Sequence, residues 1–316
     1  MPATELPQSR PLSKAANISR AIHLKNKVAT LAGRSAPSVA HLLLKLVPKN
    51  RYGDHFFAFL KFVKRHKRLP TRKLLFNDVL YRIKTTNEIL DPLRVFVSDK
   101  EFLKLYVKAV VGDQYNVPTI DIIRNYSTID NYHFPANCCI KPTHASKRVI
   151  LRTDASPIDR DKIKKWADLN YYTILREANY KMLTPKIIVE PLIFGKKNIE
   201  DYKIFCYKGT PKIIQVDVDR YINHKQKIFD SDWNELSFTI KYPRSEKIIP
   251  KPDVLEEMLE VAAKISKPFS FIRVDLYSEG NEILVGELTN ISANAGSWFV
   301  PLASEDEASR LIFGEE

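Results

Sequence analysis

The spacing of apolar residues changes near residue 117. Before that point they recur at helical intervals. After it they gather in short runs rich in Val, Ile, Phe and Tyr. The first pattern predicts helices over 17–33, 36–48 and 55–68, the last with Asp54 as its cap, after a Pro- and Ser-rich tail, 1–15, predicted to be disordered. Residues 74–110 read as mostly helical with a break at Asp91-Pro92. The second pattern predicts strands over 117–123, 138–142, 149–151 and 186–192, with a helix over 161–181 between the last two. Strands follow at 202–207, 211–217 and 238–242, then a helix over 253–266. Strands mixed with occasional helices, without an internal repeat, indicate an α+β fold.

The most informative stretch is 271–289, FIRVDLYSEGNEILVGELT. Two strand-like runs flank Ser278-Glu279-Gly280-Asn281, which is turn chemistry, so the pair reads as a hairpin. Side chains alternate faces along a strand, so Arg273 and Asp275 share the face opposite Val274. In-register pairing would set Glu287 beside Asp275. A half-buried face with two carboxylates and an arginine suits Mg²⁺ carried by nucleotide phosphates. An exposed face with a surface salt bridge is the competing reading.

Charge adds a second theme. The chain of 316 residues carries a net +13, and residues 1–75 hold sixteen Lys and Arg against Glu5 and Asp54. That quarter is therefore at +14, and the remainder is near −1. In 55–68, Phe56, Phe59, Leu60 and Val63 fall on one side and Lys61, Lys64, Arg65 and Arg68 on the other. Such a basic amphipathic helix can pack on a core with its cations solvated, or lie on anionic lipid or glycan. No recognised nucleic-acid motif accompanies the charge, which argues against a nucleic-acid partner. No apolar run reaches the ~18 residues of a membrane span, and no apolar signal-peptide core occurs near the N-terminus. Three cysteines, Cys138, Cys139 and Cys206, are too few and too badly spaced for a disulfide framework or a zinc site, and read as buried thiols of a cytoplasmic protein.

A series of ordered pieces carries a family resemblance. They are Phe76-Asn77-Asp78, Asp99-Lys100, Ile140-Lys141-Pro142-Thr143-His144, Tyr171-Tyr172 with Glu177 and Tyr180, and Ile187 through Leu192. Asp201-Tyr202-Lys203, Gln215 through Arg220, Arg273-Val274-Asp275-Leu276 and Gly286-Glu287-Leu288-Thr289 complete the series. From about Leu75 to Trp298 the chain resembles the TupA-like branch of the ATP-grasp superfamily. The resemblance implies two α+β subdomains with ATP between them, preceded by a basic helical N-terminal region. The implied boundaries are a tail at 1–15, the helical region at 16–95, and subdomains at 96–194 and 195–316.

The resemblance also implies roles. Lys100, Lys141, His144, Ser146 and Lys147 would meet ATP phosphates or their loop. Glu190, Pro191 and Leu192 would form the adenine hinge, and Asp201 and Lys203 would face the nucleotide. Asp275 and Glu287, with Thr289 and Asn290 after them, would hold Mg²⁺. Arg273 would steady the transferring phosphoryl group, and Arg220, after Asp217 and Asp219, would meet a substrate carboxylate. The phosphate loop departs from the family pattern: Ala145 and Lys147 stand where glycines are expected.

The implied activity is an ATP- and Mg²⁺-dependent carboxylate–amine ligase working through an acyl phosphate. It would join an amine or amino acid to a uronic acid or another carboxylate in cell-surface polysaccharide assembly. An ATP-grasp kinase acting on a hydroxyl, and a degenerate ATP-grasp protein that binds an acidic glycan or a partner enzyme, stand as alternatives. The expected partners are a carboxylate-bearing glycan or amino-acid substrate and, through residues 17–75, the inner face of the membrane or an acidic polymer.

Overall fold

Two antiparallel sheets and the helices that cover them make up the computed structural model, which describes residues 46–196, 199–219 and 223–315. The tail at 1–15, the helix at 17–33 and nearly all of the one at 36–48 lie outside the described residues.

The helices come first. They are α1 (Arg51–His66), α2 (Phe76–Thr85), α3 (Pro92–Phe96) and α4 (Lys100–Val110). Asp91 begins α3 as foreseen, accepting from Leu93 N and Arg94 N. The cap of α1 differs from expectation. Asn50 does the capping, accepting from Gly53 N, and Asp54 sits in the first turn with its carboxylate on Tyr172 and Arg176. The buried face also differs. Phe57, Ala58 and Phe62 are buried, whereas Phe56 is 54% exposed. Apolar residues lie on both sides of this helix, so periodicity alone could not choose between them. Tertiary contacts chose Phe62 against Tyr81, ring centroids 5.1 Å apart. Two of the cations make contacts within the protein: Arg65, itself exposed, donates to Gly296 O at 3.0 Å, and Arg68 pairs with Asp78 at 2.5 Å.

A four-stranded sheet follows, ordered β1 (Asp121–Ile123), β4 (Ile187–Pro191), β2 (Cys138–Pro142), β3 (Ile150–Arg152). Cys138, Ile140, Ile187 and Val189 point to a core with Trp166 and Ile163. The alternate residues, Lys141 and Glu190 among them, take the other face. The helix expected over 161–181 is interrupted. Only α5 (Arg160–Lys164) and α6 (Tyr172–Leu175) form. Asn170 O accepts from the Thr173 backbone and hydroxyl, restarting the chain, and Arg176 stops it at φ 54°.

The second sheet has five strands, ordered β10 (Glu282–Thr289), β9 (Phe271–Glu279), β5 (Asp201–Tyr207), β6 (Thr210–Val218), β7 (Lys225–Asp230). One face, with Tyr202, Ile204, Cys206, Val274 and Leu276, packs on α7 (Leu255–Ser266). On the opposite face Phe205, Ile213 and Phe271 pack on α2 and on α8 (Ser304–Phe313). Strand β7, helix α8 and β11 (Phe299–Val300) were not legible in the pattern; the strand expected over 238–242 forms as β8 (Thr239–Ile240), which pairs with β11 in a short ribbon. The three cysteines are buried and free. Among the described residues, no helix is long and apolar enough to cross a membrane.

Candidate active site

The apolar packing on that second face stops halfway along the strands. Phe205 and Phe271 are covered, but two residues back along β5 the same face carries Lys203, then Asp201. Register places Lys203 against Asp275 and Gln215, and Asp201 against Asp217. Lys203 donates to Asp201 and lies 3.0 Å from Asp217. Burial works against its charge, but Asp201, Asp275 and Asp217 together raise its pKa.

The hairpin completes the patch. Glu287 is the cross-strand partner of Asp275, with a bulge between Val285 and Glu287. The bulge residue is Gly286, where a Cβ would meet Tyr277 Cε2 at 2.5 Å, so a side chain there would push the ring aside. Arg273 grips Asp275 by two bonds of 2.6 and 2.7 Å and also donates to Thr289 and Ser292 hydroxyls. Burial disfavours the guanidinium, but the adjacent carboxylate raises its pKa. Burial raises the Asp275 pKa, opposed by Arg273 and Lys203. Among the described residues Glu287 makes no hydrogen bond or ion pair, yet its charge reaches Lys100, Lys141, Arg273, Tyr171 and Tyr180.

Lys100 and Lys141 come from the other side. Glu190 binds Lys141 at 2.5 Å and Lys104 at 2.8 Å, so this buried carboxylate anchors both lysines. Burial alone would lower the Lys141 pKa, but Glu190 raises it. Lys100 N donates to Thr143 O, and its Nζ donates to Ala145 O at 2.6 Å. Asp99 accepts from the Thr143 hydroxyl at 2.9 Å. The Asp99-Lys100 pair thus holds the 143–147 loop. Lys147 is exposed and sits at φ 60°, the left-handed conformation in which glycine is unstrained. Ser146 meets the Tyr171 phenol. His144 is buried, donating Nε2–H to Trp166 O at 3.1 Å, and burial lowers its pKa, so it serves the loop as a neutral ring. Pro191 ends β4 opposite Cys138, and Leu192 is buried beside it.

Two candidates stand apart. Asn290 faces away from Thr289: its Oδ1 accepts from the buried Arg94 at 2.9 Å and its amide donates to Ser98. Arg220 lies outside the described residues. Asp217 and Asp219 are described. His224 lies 3.3 Å from Asp217, and Lys247 lies 2.7 Å from Asp219. Burial would raise the Asp217 pKa, but His224 and Lys203 hold it well below the carboxylate range.

Sequence reasoning assigned no role to Glu177, Tyr180 and Lys84, although the first two appear in the ordered series. Burial pushes Glu177 up to about 7 and Lys84 down to about 8. Lys84 donates to Leu175 O at 2.8 Å and to Asn294. What sequence reasoning could not see was the electrostatic influence of Lys84 and Glu177 on each other, residues far apart in the chain.

Four carboxylates (Asp201, Asp217, Asp275, Glu287) thus face two firmly charged groups, Lys203 and Arg273, an acidic excess suited to a cation. Among the described residues no three His, Cys, Asp or Glu side chains form a metal cage. Mg²⁺ in a nucleotide site takes only one or two carboxylates with phosphate and water, so the donor set fits it. Lys100 and Lys141 beside Glu287 fit the phosphates.

Residues 80–308 match the model of the family described as TupA-like ATPgrasp. No curated protein matches the chain. Among solved structures, D-alanine–D-alanine ligase from Helicobacter pylori is similar at 17% identity, over 69% of this chain and 62% of that one, with TM-score 0.35. The Bacillus anthracis ligase of the same description shows 16% identity over 69% and 64%, with TM-score 0.38. The ATP-grasp ligase PsnB, complexed with minimal precursor, Mg and ADP, shows 13% identity over 73% and 69%, with TM-score 0.38. The chain spans under two thirds of either D-alanine ligase.

Proposed function

The chain belongs to the TupA-like ATP-grasp family, and on that premise we propose that it is an ATP- and Mg²⁺-dependent carboxylate–amine ligase. The observation that carries the reading is the convergence on Glu287. Asp275 is its partner across the hairpin, with Arg273 beside Asp275 on the same face, and its charge acts on Lys100 and Lys141 from the other sheet's side. ATP would lie between the subdomains proposed at 96–194 and 195–316, with Glu190, Pro191 and Leu192 as the residues that would hold the adenine.

Each residue has a task that follows from its setting. Asp275 and Glu287 would hold Mg²⁺, which would neutralise phosphate charge there. Lys100 and Lys141 neutralise phosphate oxygens; the Glu190 anchor keeps Lys141 charged and in place. Arg273 shares its fork between Asp275 and the transferring group, and its contacts to Thr289 and Ser292 keep it aimed. The substrate carboxylate takes the phosphoryl group, and an amine then displaces phosphate to form the amide. We further propose that the carboxylate belongs to a uronic acid or similar group of a cell-surface polysaccharide, and that the protein works in the cytoplasm at the inner face of the membrane.

The test is calorimetric titration of ATP with and without Mg²⁺, on the protein and on Asp275→Ala/Glu287→Ala. Mg²⁺-dependent binding that the double variant loses is the expected result, with ADP release then screened against carboxylate and amine pairs. ADP release with a hydroxyl acceptor and no amine would move the assignment to a kinase. Absence of nucleotide binding in every condition would leave a glycan- or partner-binding protein.

A further inference from the structure

Within charge reach of both the phosphate loop and Glu287, one buried carboxylate has neither a partner nor a task in phosphoryl transfer. Glu177 is 5% exposed, and among the described residues its side chain makes no hydrogen bond or ion pair. The turn that carries it is pinned on both sides. Arg176, at φ 54°, donates to Asp54 at 2.8 Å, and the Asn179 amide donates to Ser98 at 2.7 Å. Lys84 acts on Glu177 by charge, yet its ammonium is bound to Leu175 O and Asn294 instead. The carboxylate is therefore held without being satisfied, which is costly unless a ligand completes it. Its surroundings point to the cleft. Lys147 of the loop and Glu287 of the hairpin both act on its charge. Tyr171 and Tyr180 pack together, ring centroids 4.9 Å apart at 68°, and both phenols feel Glu177 and Glu287. Tyr171 also meets Ser146, and Tyr180 feels Arg273. Burial raises both phenol pKa values, that of Tyr171 to about 12, so each stays a neutral hydroxyl whose oxygen can accept a hydrogen bond.

We propose that Glu177, with the Tyr171 and Tyr180 phenols, is the site that takes the attacking amine, and that its ligand is a primary ammonium. A carboxylate and neutral phenols suit a compact cation with three donors, and the ring faces add cation–π attraction. Glu177 and Glu287 together repel a carboxylate, so the two substrates sort by charge. In the reaction one ammonium proton passes to the Glu177 carboxylate. The nitrogen lone pair then forms the bond to the acyl carbon, and the bond from that carbon to the phosphate oxygen breaks. The second nitrogen proton leaves with inorganic phosphate, and the proton on Glu177 returns to solvent. Burial, opposed by Lys84 and Lys147 and aided by Glu287, raises the Glu177 pKa to about 7, the range in which a carboxylate exchanges protons near neutrality. The reaction step rests on the ligase reading, but the ammonium site itself does not.

The first test uses n-butylammonium as probe and the full chain without nucleotide, so that it stands apart from the ATP titration. Binding is followed by ligand-observed NMR, with n-butanol as the neutral control. The parent should bind the ammonium and not the alcohol. Glu177→Gln is expected to weaken binding about twentyfold, the scale of one lost charge-assisted hydrogen bond, and Tyr180→Phe about threefold. Absence of ammonium binding by the parent, equal binding of n-butanol, unchanged affinity in Glu177→Gln, or displacement of the probe by an equal concentration of Mg²⁺ would overturn the site. The second test is kinetic, with MgATP and the carboxylate that the ADP-release screen selects. Hydroxylamine is largely uncharged at neutral pH and attacks an acyl phosphate without a base. The ratio of amine-supported to hydroxylamine-supported ADP release should fall about a hundredfold in Glu177→Gln. An unchanged ratio would overturn the reaction step and leave Glu177 outside the chemistry. Should the screen select no carboxylate, the ligase reading is what fails, and the NMR titration still decides the ammonium site.

Discussion

One face of the five-stranded sheet is divided into two unlike halves. At the Phe205 and Phe271 end, α2 and α8 close over it, and Phe76 is wholly buried with its ring centroid 5.8 Å from both. At the Asp201 and Lys203 end buried charged groups face one another. The same strands run through both halves, with β5 and β9 in continuous register and one shift between Phe205 and Cys206 against β6. The difference lies in what each half can do without a ligand. Apolar surface gains free energy by leaving water, so the first half is complete. Buried carboxylates lose hydration and need a counter-charge, so the second half is completed by Lys203, Arg273 and whatever cation is bound. Stability and function are thereby separated by about two residues along a strand.

That separation can be broken from either side. Phe76→Ala should have the largest effect, destabilising the protein by about 3–5 kcal/mol as a cavity opens under four aromatic rings. Urea denaturation reads the loss, and Mg²⁺-dependent nucleotide binding should survive below the unfolding range. Glu287→Gln should do the reverse. Its carboxylate has no hydrogen-bond partner among the described residues, so stability should change by less than about 0.5 kcal/mol. MgATP affinity should fall about a hundredfold, or about 2.7 kcal/mol. A comparable loss of stability would show that the charged half is part of the core.

A smaller effect tests the rim. Burial raises the Glu177 pKa from its ordinary value to about 7. An acid with a raised folded-state pKa supports folding below its unfolded pKa and loses that support as pH rises through the folded value. Glu177→Gln should therefore gain stability relative to the parent between about pH 4.5 and pH 7. Denaturation curves at pH 4.5 and 8 check it; a constant difference would place Glu177 in a firm ion pair with Lys84. The smallest effect belongs to the phosphate loop. Lys147→Gly relieves a left-handed residue at φ 60°. It should leave stability within about 1 kcal/mol, the backbone relief offsetting the added chain freedom. If the exposed ammonium assists phosphate binding, MgATP affinity drops about threefold; if the glycine conformation matters more, affinity rises.

Much of the site was legible because its parts are local. Residues of one strand share a face by period two, so Arg273 and Asp275 had to be neighbours, but the turn at Gly280 alone would pair Asp275 with Gly286, and it is the bulge there that sets Glu287 beside Asp275. The strands 138–142 and 187–191 were equally legible as apolar runs. Asn290, one residue beyond Thr289, shows the limit of that reasoning. Alternation placed it on the other face, but only the arrival of Arg94, 196 positions earlier, gave its side chain a task. Glu190 likewise read as part of a hinge, and the fold made it the counter-charge of Lys141 and Lys104.

The sequence alone determined the α+β character, the hairpin, the order of the motifs and the charge asymmetry, because each depends on neighbours a few residues apart. Tertiary structure alone decided which side of α1 is buried, where 161–181 breaks, and how Lys84 and Glu177 come to the rim. Charges and rings carry no periodicity that announces a partner, and pairings between distant segments exist only once the intervening chain has closed.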